Sequence, residues 1–190
     1  MWLVADTHFS HPKIITYCNR PFKDVAEMDE QLIARWNAVV SKGDRVYHLG
    51  DFSFRQSIES INKLVKTLNG NIHLIYGNHD DERKLKRLNC FAWQGHLRYI
   101  RTRLKDGSTQ KIMMCHYAMR TWRAGFKGSW MLHGHSHGTL KDAGGKTLDV
   151  GVDKHGYVPV HVEGVRAYMV DRPICVADYH QDLIGKDLTK

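Results

Sequence analysis

The stretch Ile72-His-Leu-Ile-Tyr-Gly-Asn-His-Asp80 decides the fold. Five mostly apolar residues, 72–76, read as a short buried strand, and a glycine then breaks into a polar run, Asn78-His79-Asp80. Working backwards, Ile58, Ile61, Leu64, Val65 and Leu68 recur at helical spacing and stop at Asn69-Gly70, a good helix C-terminal signal. Before them Arg45-Val-Tyr-His-Leu reads as another strand, closing at Gly50-Asp51. Earlier still, Val25, Met28, Leu32, Trp36, Val39 and Val40 predict a helix. Asp24 and Glu27 resemble a capping box at its start, and the helix is expected to end near Gly43. Residues 1–5 form an apolar strand running into Asp6-Thr-His8. The order is strand, helix, strand, helix, strand, with polar residues at each strand's C-terminal end, the edge where open α/β sheets bind ligands.

The second half changes character. Leu97–Leu104 and Gln110–Cys115 flank Lys-Asp-Gly-Ser-Thr and predict a hairpin. Short strands are expected at Trp130–Leu132 and Thr147–Val152, and a last helix at Val162–Met169. Residues 171–190 are polar and carry no readable element. We therefore expect a domain over residues 1–170 and a C-terminal extension over 171–190.

A hydrophobic content of 42 % in 190 residues suffices for one packed core. No run of eighteen apolar residues predicts a membrane span, and the short apolar N-terminus lacks a basic leader, so a cytoplasmic protein without membrane partners is expected. The cysteines Cys18, Cys90, Cys115 and Cys175 show no C-x-x-C spacing and read as reduced thiols. A formal charge of +8 favours anionic partners, nucleotides and nucleic acids alike, although a solvated basic surface explains it equally well.

The pointed signal is the placing of histidine and carboxylate. The chain offers Asp6-x-His8, Gly50-Asp51, Gly77-Asn78-His79-Asp80, His116 and Gly134-His135-Ser-His137, each after an apolar segment. Imidazole, carboxylate and amide oxygen together suit Zn²⁺, Mn²⁺ or Fe. Glycines would let the backbone turn, and an i, i+2 pair shares one face if the backbone stays extended. Cys115, next to His116, reads as core because strand neighbours alternate. Asp153 reads equally as a turn acid or a support behind the site. Arg20 and Arg55 read as loop residues.

In this order the five blocks closely resemble the calcineurin-like metallophosphoesterase superfamily. Asn19-Arg20-Pro21-Phe22, Val46–Phe52, Val150-Gly151-Val152-Asp153 and Pro159-Val160 are similar to its small prokaryotic or phage-encoded branch. The resemblance implies a four-layer α/β sandwich: two mixed β-sheets flanked by helices. It implies that Asp6, His8 and His137 bind one divalent ion, that Asn78, His116 and His135 bind a second, and that Asp51 bridges them. The ions would be Mn²⁺ first, with Zn²⁺, Fe²⁺ or Ni²⁺ as alternatives. His79 would protonate the leaving oxygen or stabilise charge, and Asp80 would orient His79. A metal-bridging hydroxide would attack phosphorus. Arg83, Tyr117 and Arg120 are candidates for substrate contact, against the reading of a solvated helix face and an ordinary aromatic loop. The implied activity is hydrolysis of phosphomono- or phosphodiesters in a small, nucleotide-like substrate. A nuclease acting on DNA or RNA is the alternative, and an inactive scaffold the weaker third. The oligomeric state is not readable.

Overall fold

The computed structural model describes residues 1–142 and 144–174, so the expected C-terminal extension lies outside the described residues from position 175 onward. Its chain alternates β1 (Trp2–Val4), α1 (Pro12–Tyr17), α2 (Val25–Val39), β2 (Arg45–His48), α3 (Ile58–Thr67), β3 (Asn71–Ile75), α4 (Glu82–Leu85) and β4 (Trp93–Gly95). It continues through β5 (Leu97–Arg103), β6 (Thr109–Cys115), β7 (Trp130–His133), β8 (Thr147–Asp149), β9 (Val160–His161) and α5 (Val162–Met169).

Two mixed sheets result. The first is ordered β4-β3-β2-β1-β9, parallel except for β9, and the second β5-β6-β7-β8, parallel except for the β5–β6 hairpin. The register Leu3↔Tyr47 and Val4↔His48 sends alternate residues to opposite faces. Leu3, Tyr47 and Ile75 point at the second sheet and meet Ile112, Met114, Trp130, Leu132 and Leu148. Val4, Val46, Ile72 and Leu74 point the other way, against Met28, Leu32 and Trp36 of α2 and Ile61 and Val65 of α3. On the far side of the second sheet Met113 and Met131 are covered by Trp122, from an irregular segment with a single 3₁₀ turn at Gly125–Lys127. The layers are helices, sheet, sheet and this thin cover, the two-sheet α/β arrangement expected. Among the described residues no helix is long and apolar enough to cross a membrane.

Differences from the expected elements have local causes. Helix α2 ends at Val39, short of Gly43, because Val40 turns to extended backbone and is buried. The Asp44 carboxylate then accepts the Ser41 N–H at 2.8 Å and closes the turn. At its start the Asp24 side chain accepts the Glu27 N–H, while the Glu27 carboxylate accepts from Lys23 instead of the cap itself. The short elements α1, β4 and β9 carry too few residues to show a period. Each parallel strand nevertheless ends where its polar block begins, so Asp6, Asp51 and Asn78 leave the first sheet on the same edge as His116 and His135 leave the second.

Trp36 fixes α2 to the sheet: it is buried, and its indole N–H donates to the Asn69 carbonyl at 2.9 Å. Trp36→Ala is expected to cost about 3–5 kcal/mol. Urea unfolding measures it, and a loss under about 1 kcal/mol would remove this residue from its anchoring role.

Candidate metal centre

The backbone at the site departs from the extended form assumed above. Asp6, His8, Asp51, His135 and His137 all have φ between 48° and 68°, the left-handed region that non-glycine residues rarely enter. Such strain persists only where surroundings over-determine it, and it clusters at functional positions. Gly50, at φ 99°, makes the turn expected of it, whereas Gly77 and Gly134 serve a different end. A Cβ on Gly77 would overlap the Asp51 carboxylate, and one on Gly134 would lie 2.5 Å from the Ala5 Cβ and 2.8 Å from Asp6 Oδ2. They vacate the space that the acids occupy.

Buried carboxylates hold these loops together. Both oxygens of Asp6 accept the His135 N–H, at 3.0 and 2.9 Å. Asp51 Oδ1 accepts the His79 N–H at 2.8 Å. Asp80 accepts the backbone N–H groups of Asp51, Phe52 and Gly77 at 2.8–3.0 Å. This corrects the expectation that Asp80 orients the His79 ring: its carboxylate ties the Asp51 loop to the Asn78 loop.

The seven expected ligands fall into two groups. Ligand atoms of Asp6, His8 and His137 lie within 4.8 Å of one another, and so do those of Asp51, His116 and His135. Asn78 Oδ1 joins the second group, 3.0 Å from His116 Nε2 and 2.8 Å from His135 Nδ1. Asp51 Oδ2 stands between the groups, 3.4 Å from His8 Nε2 and 3.5 Å from His116 Nε2. Two ligands each about 2.1 Å from one ion are about 3–3.5 Å apart, so these spacings fit small divalent cations. One further observation supports the fit: buried His8 Nε2 has no hydrogen-bond partner among the described residues, although such atoms are ordinarily satisfied.

The electrostatics of these protein groups are uneven. Burial pushes the Asp6 carboxyl up to about 7. Burial also opposes ionisation of Asp51, but the adjacent His116, the His79 amide and His8 hold it at about 2. Burial takes His8 down to about 2, keeping its nitrogens neutral and available as donors to a metal. His116 is buried as well, yet Asp51 and Asp6 raise it above the usual histidine value.

Support behind the ligands comes from residues that the sequence reading set aside. Arg20, taken for a loop residue, is buried and clamps Asp153 through Nε–Oδ1 at 2.8 Å and Nη2–Oδ2 at 2.9 Å. The same guanidinium donates to the carbonyls of Asp6 and Thr7 at 2.7 and 3.0 Å. Asp153 Oδ2 is also 2.7 Å from His137 Nδ1, which resolves the open reading of Asp153 in favour of support. Asp149 accepts from Gly138 and Gly151, bracing the turn after His137. His11, expected at the surface or in a structural role, is buried with Nδ1 3.3 Å from His8 Nδ1 and its ring stacked on Phe54. His48 is the packed neighbour expected, bonded to the Thr7 hydroxyl at 2.9 Å. Cys115 packs at the edge of the Met113–Trp122–Met131 cluster, as expected for a core residue.

A cleft of about 990 Å³ opens over the ligands. His79 stands on its wall, with its ring 5.2 Å from that of His8. The three residues expected to touch substrate are not on this wall. Arg83 and Arg120 are exposed elsewhere, and Tyr117 lies edge-on to the His116 and His135 rings at 5.0 and 4.6 Å.

Comparison with known proteins places this geometry. The calcineurin-like phosphoesterase superfamily domain matches residues 1–152. An uncharacterized protein of Methanocaldococcus jannaschii, MJ1445, is 34 % identical over 170 residues, covering 86 % of this chain and 87 % of that one. The Gene 66 protein of Mycobacterium phage L5 is 26 % identical over 181 residues, 82 % and 87 % of the two chains. A solved structure, the protein of unknown function AQ665 from Aquifex aeolicus, superposes with a TM-score of 0.65 over 88 % of this chain and 98 % of that one. At 23 % identity it speaks for the fold alone.

Arg20→Ala would strand the buried Asp153 carboxylate and two loop carbonyls. The expected cost is about 3–5 kcal/mol, measured by chemical unfolding with chelator present so that metal does not contribute. A variant as stable as the parent would show the clamp to be dispensable.

Proposed function

The chain belongs to the calcineurin-like phosphoesterase superfamily, and from that premise we propose that it hydrolyses phosphomono- or phosphodiesters of a small, nucleotide-like substrate with two divalent cations, Mn²⁺ foremost. The observation that carries this reading is Asp51 Oδ2, one carboxylate oxygen within 3.5 Å of an imidazole from each ligand group. Asp6, His8 and His137 would hold one ion, Asn78, His116 and His135 the other, and Asp51 both. When bound, such a pair lowers the pKa of water and neutralises developing phosphoryl charge.

The protein's own residues do the rest. Asp6 and Asp51 supply the negative charge that a dicationic site needs, out of reach of bulk water. Asp153, bonded to His137 Nδ1, fixes that ring and leaves Nε2 for a ligand role. His79 projects from the cleft wall above His8, on the side open to solvent, and there donates a proton to the departing oxygen. The reading of a nuclease has one observation on its side. Arg101 faces Lys111 across the β5–β6 hairpin, next to Arg103, a like-charge pairing that an anionic strand would relieve.

Hydrolysis of a chromogenic phosphodiester should appear on adding Mn²⁺ and vanish with chelator. Asp51→Asn should lose metal and turnover together. His79→Ala should keep its metal yet lose about 10²–10⁴-fold in rate on substrates with a poor leaving group, and far less on those with a good one. Full turnover of His79→Ala on poor leaving groups would remove it as the acid. A preference for single-stranded nucleic acid over mononucleotides would favour the nuclease.

A further inference from the structure

The cleft is much larger than a phosphate needs, and its outer half is made differently from its floor. The floor is imidazole, His8, His11, His135 and His137, with His79 on the wall above His8. The walls come from α1 and from residues 139–141, and they carry Lys13, Ile14 and Tyr17 on one side and Leu140 and Lys141 on the other.

Two features of these walls are out of keeping with an ordinary surface. Tyr17 is 70 % exposed and Leu140 54 %, both among the large apolar side chains that the fold leaves uncovered, and both border the same opening. Exposed apolar groups gathered at one concave site mark a ligand's apolar part. In addition, no Asp or Glu lines the cleft among the described residues, while two lysines do. Neither lysine forms an ion pair with a described residue. The opening thus presents an exposed aromatic ring, an exposed branched aliphatic group and two lysines without an ion pair to a described residue, beyond a floor suited to one phosphoryl group.

Resting on the phosphoesterase reading, we infer that this outer cleft selects nucleotides carrying a second phosphate: the base stacks on Tyr17 opposite Leu140, and Lys13 and Lys141 take the phosphate that is not at the histidine floor. A nucleotide with two phosphates combines a flat apolar ring with anionic charge for the histidine floor and for the lysines. Phe54 is not the stacking partner, because His11 covers one face at 3.9 Å and Arg55 lies over the ring at 5.0 Å. Tyr17 meets His11 only in a T-shaped contact at 6.4 Å, and most of its surface is exposed. Base–aromatic stacking is tolerant of base identity, so the site should separate nucleotides from sugar phosphates more than one base from another.

The test is calorimetric binding of AMP, ADP and ribose 5-phosphate to the Mn²⁺-loaded protein, alongside hydrolysis of the same three compounds. AMP is expected to bind about tenfold more tightly than ribose 5-phosphate, the size of one base stack, and ADP more tightly than AMP. Tyr17→Ala should erase the preference for AMP over ribose 5-phosphate and Tyr17→Phe should keep it, a rescue that a structural role at this exposed position would not produce. Lys13→Ala with Lys141→Ala should erase the preference of ADP over AMP. Equal loss for ribose 5-phosphate and AMP in Tyr17→Ala, an ADP preference that survives loss of both lysines, or no nucleotide binding at all would overturn the inference. Nucleotide binding with these dependences but no hydrolysis of any phosphoester would leave the cleft assignment standing and sink the phosphoesterase reading. Hydrolysis without nucleotide preference would do the reverse.

Discussion

Two aspartates, Asp6 and Asp51, lie buried between two β-sheets, and the architecture of the site follows from what is needed to keep them there. A carboxylate removed from water is tolerated only with hydrogen bonds and countercharge close by. The backbone supplies the hydrogen bonds, from His135 to Asp6 and from His79 to Asp51. Countercharge is less complete. His8 beside Asp51 is neutral, and Arg20 reaches the Asp6 carbonyl but not its carboxylate. A pair of cations would complete the balance, which is why donor geometry, the orphaned His8 nitrogen and the uneven ionisation of the acids all point the same way.

The strained loops become intelligible on the same basis. Five side chains reach the centre from residues in left-handed backbone, and two of these, Asp51 and His135, are held there by carboxylates far away in sequence, Asp80 and Asp6. Asp80 ties two loops by their amides, and Arg20 bridges 133 residues to Asp153. Removing such a brace would be felt through ligand positions instead of through any direct contact with substrate. The two sheets supply what strain needs, a rigid frame whose strands end side by side.

Much of this was legible before any coordinates. Strand ends coincide with polar blocks, and apolar runs of four to seven residues between helices of clear period disclose the two-sheet α/β order. The candidate ligand residues could be named because five blocks in fixed order resemble a known family; no single block carries that weight. The braces were not legible. Arg20 stands in a stretch that shares the resemblance, but its bracing role could not be read there, since its partner Asp153 lies at the other end of the domain. Asp80 was assigned to its sequence neighbour His79, whereas its carboxylate bonds the backbone of Asp51, Phe52 and Gly77. The cleft walls were missed for a related reason. Helix α1 is six residues long and shows no period, yet it places Tyr17 and Lys13 at the opening, which neither Arg83 nor Arg120 lines.

The account stands most directly on how many ions the folded chain holds. Elemental analysis of protein saturated with Mn²⁺ and freed of excess metal should give two ions per chain, falling to one or none when His116 is replaced by alanine. A folded sample with only trace divalent metal, or a His116→Ala variant that still holds two ions, would contradict it.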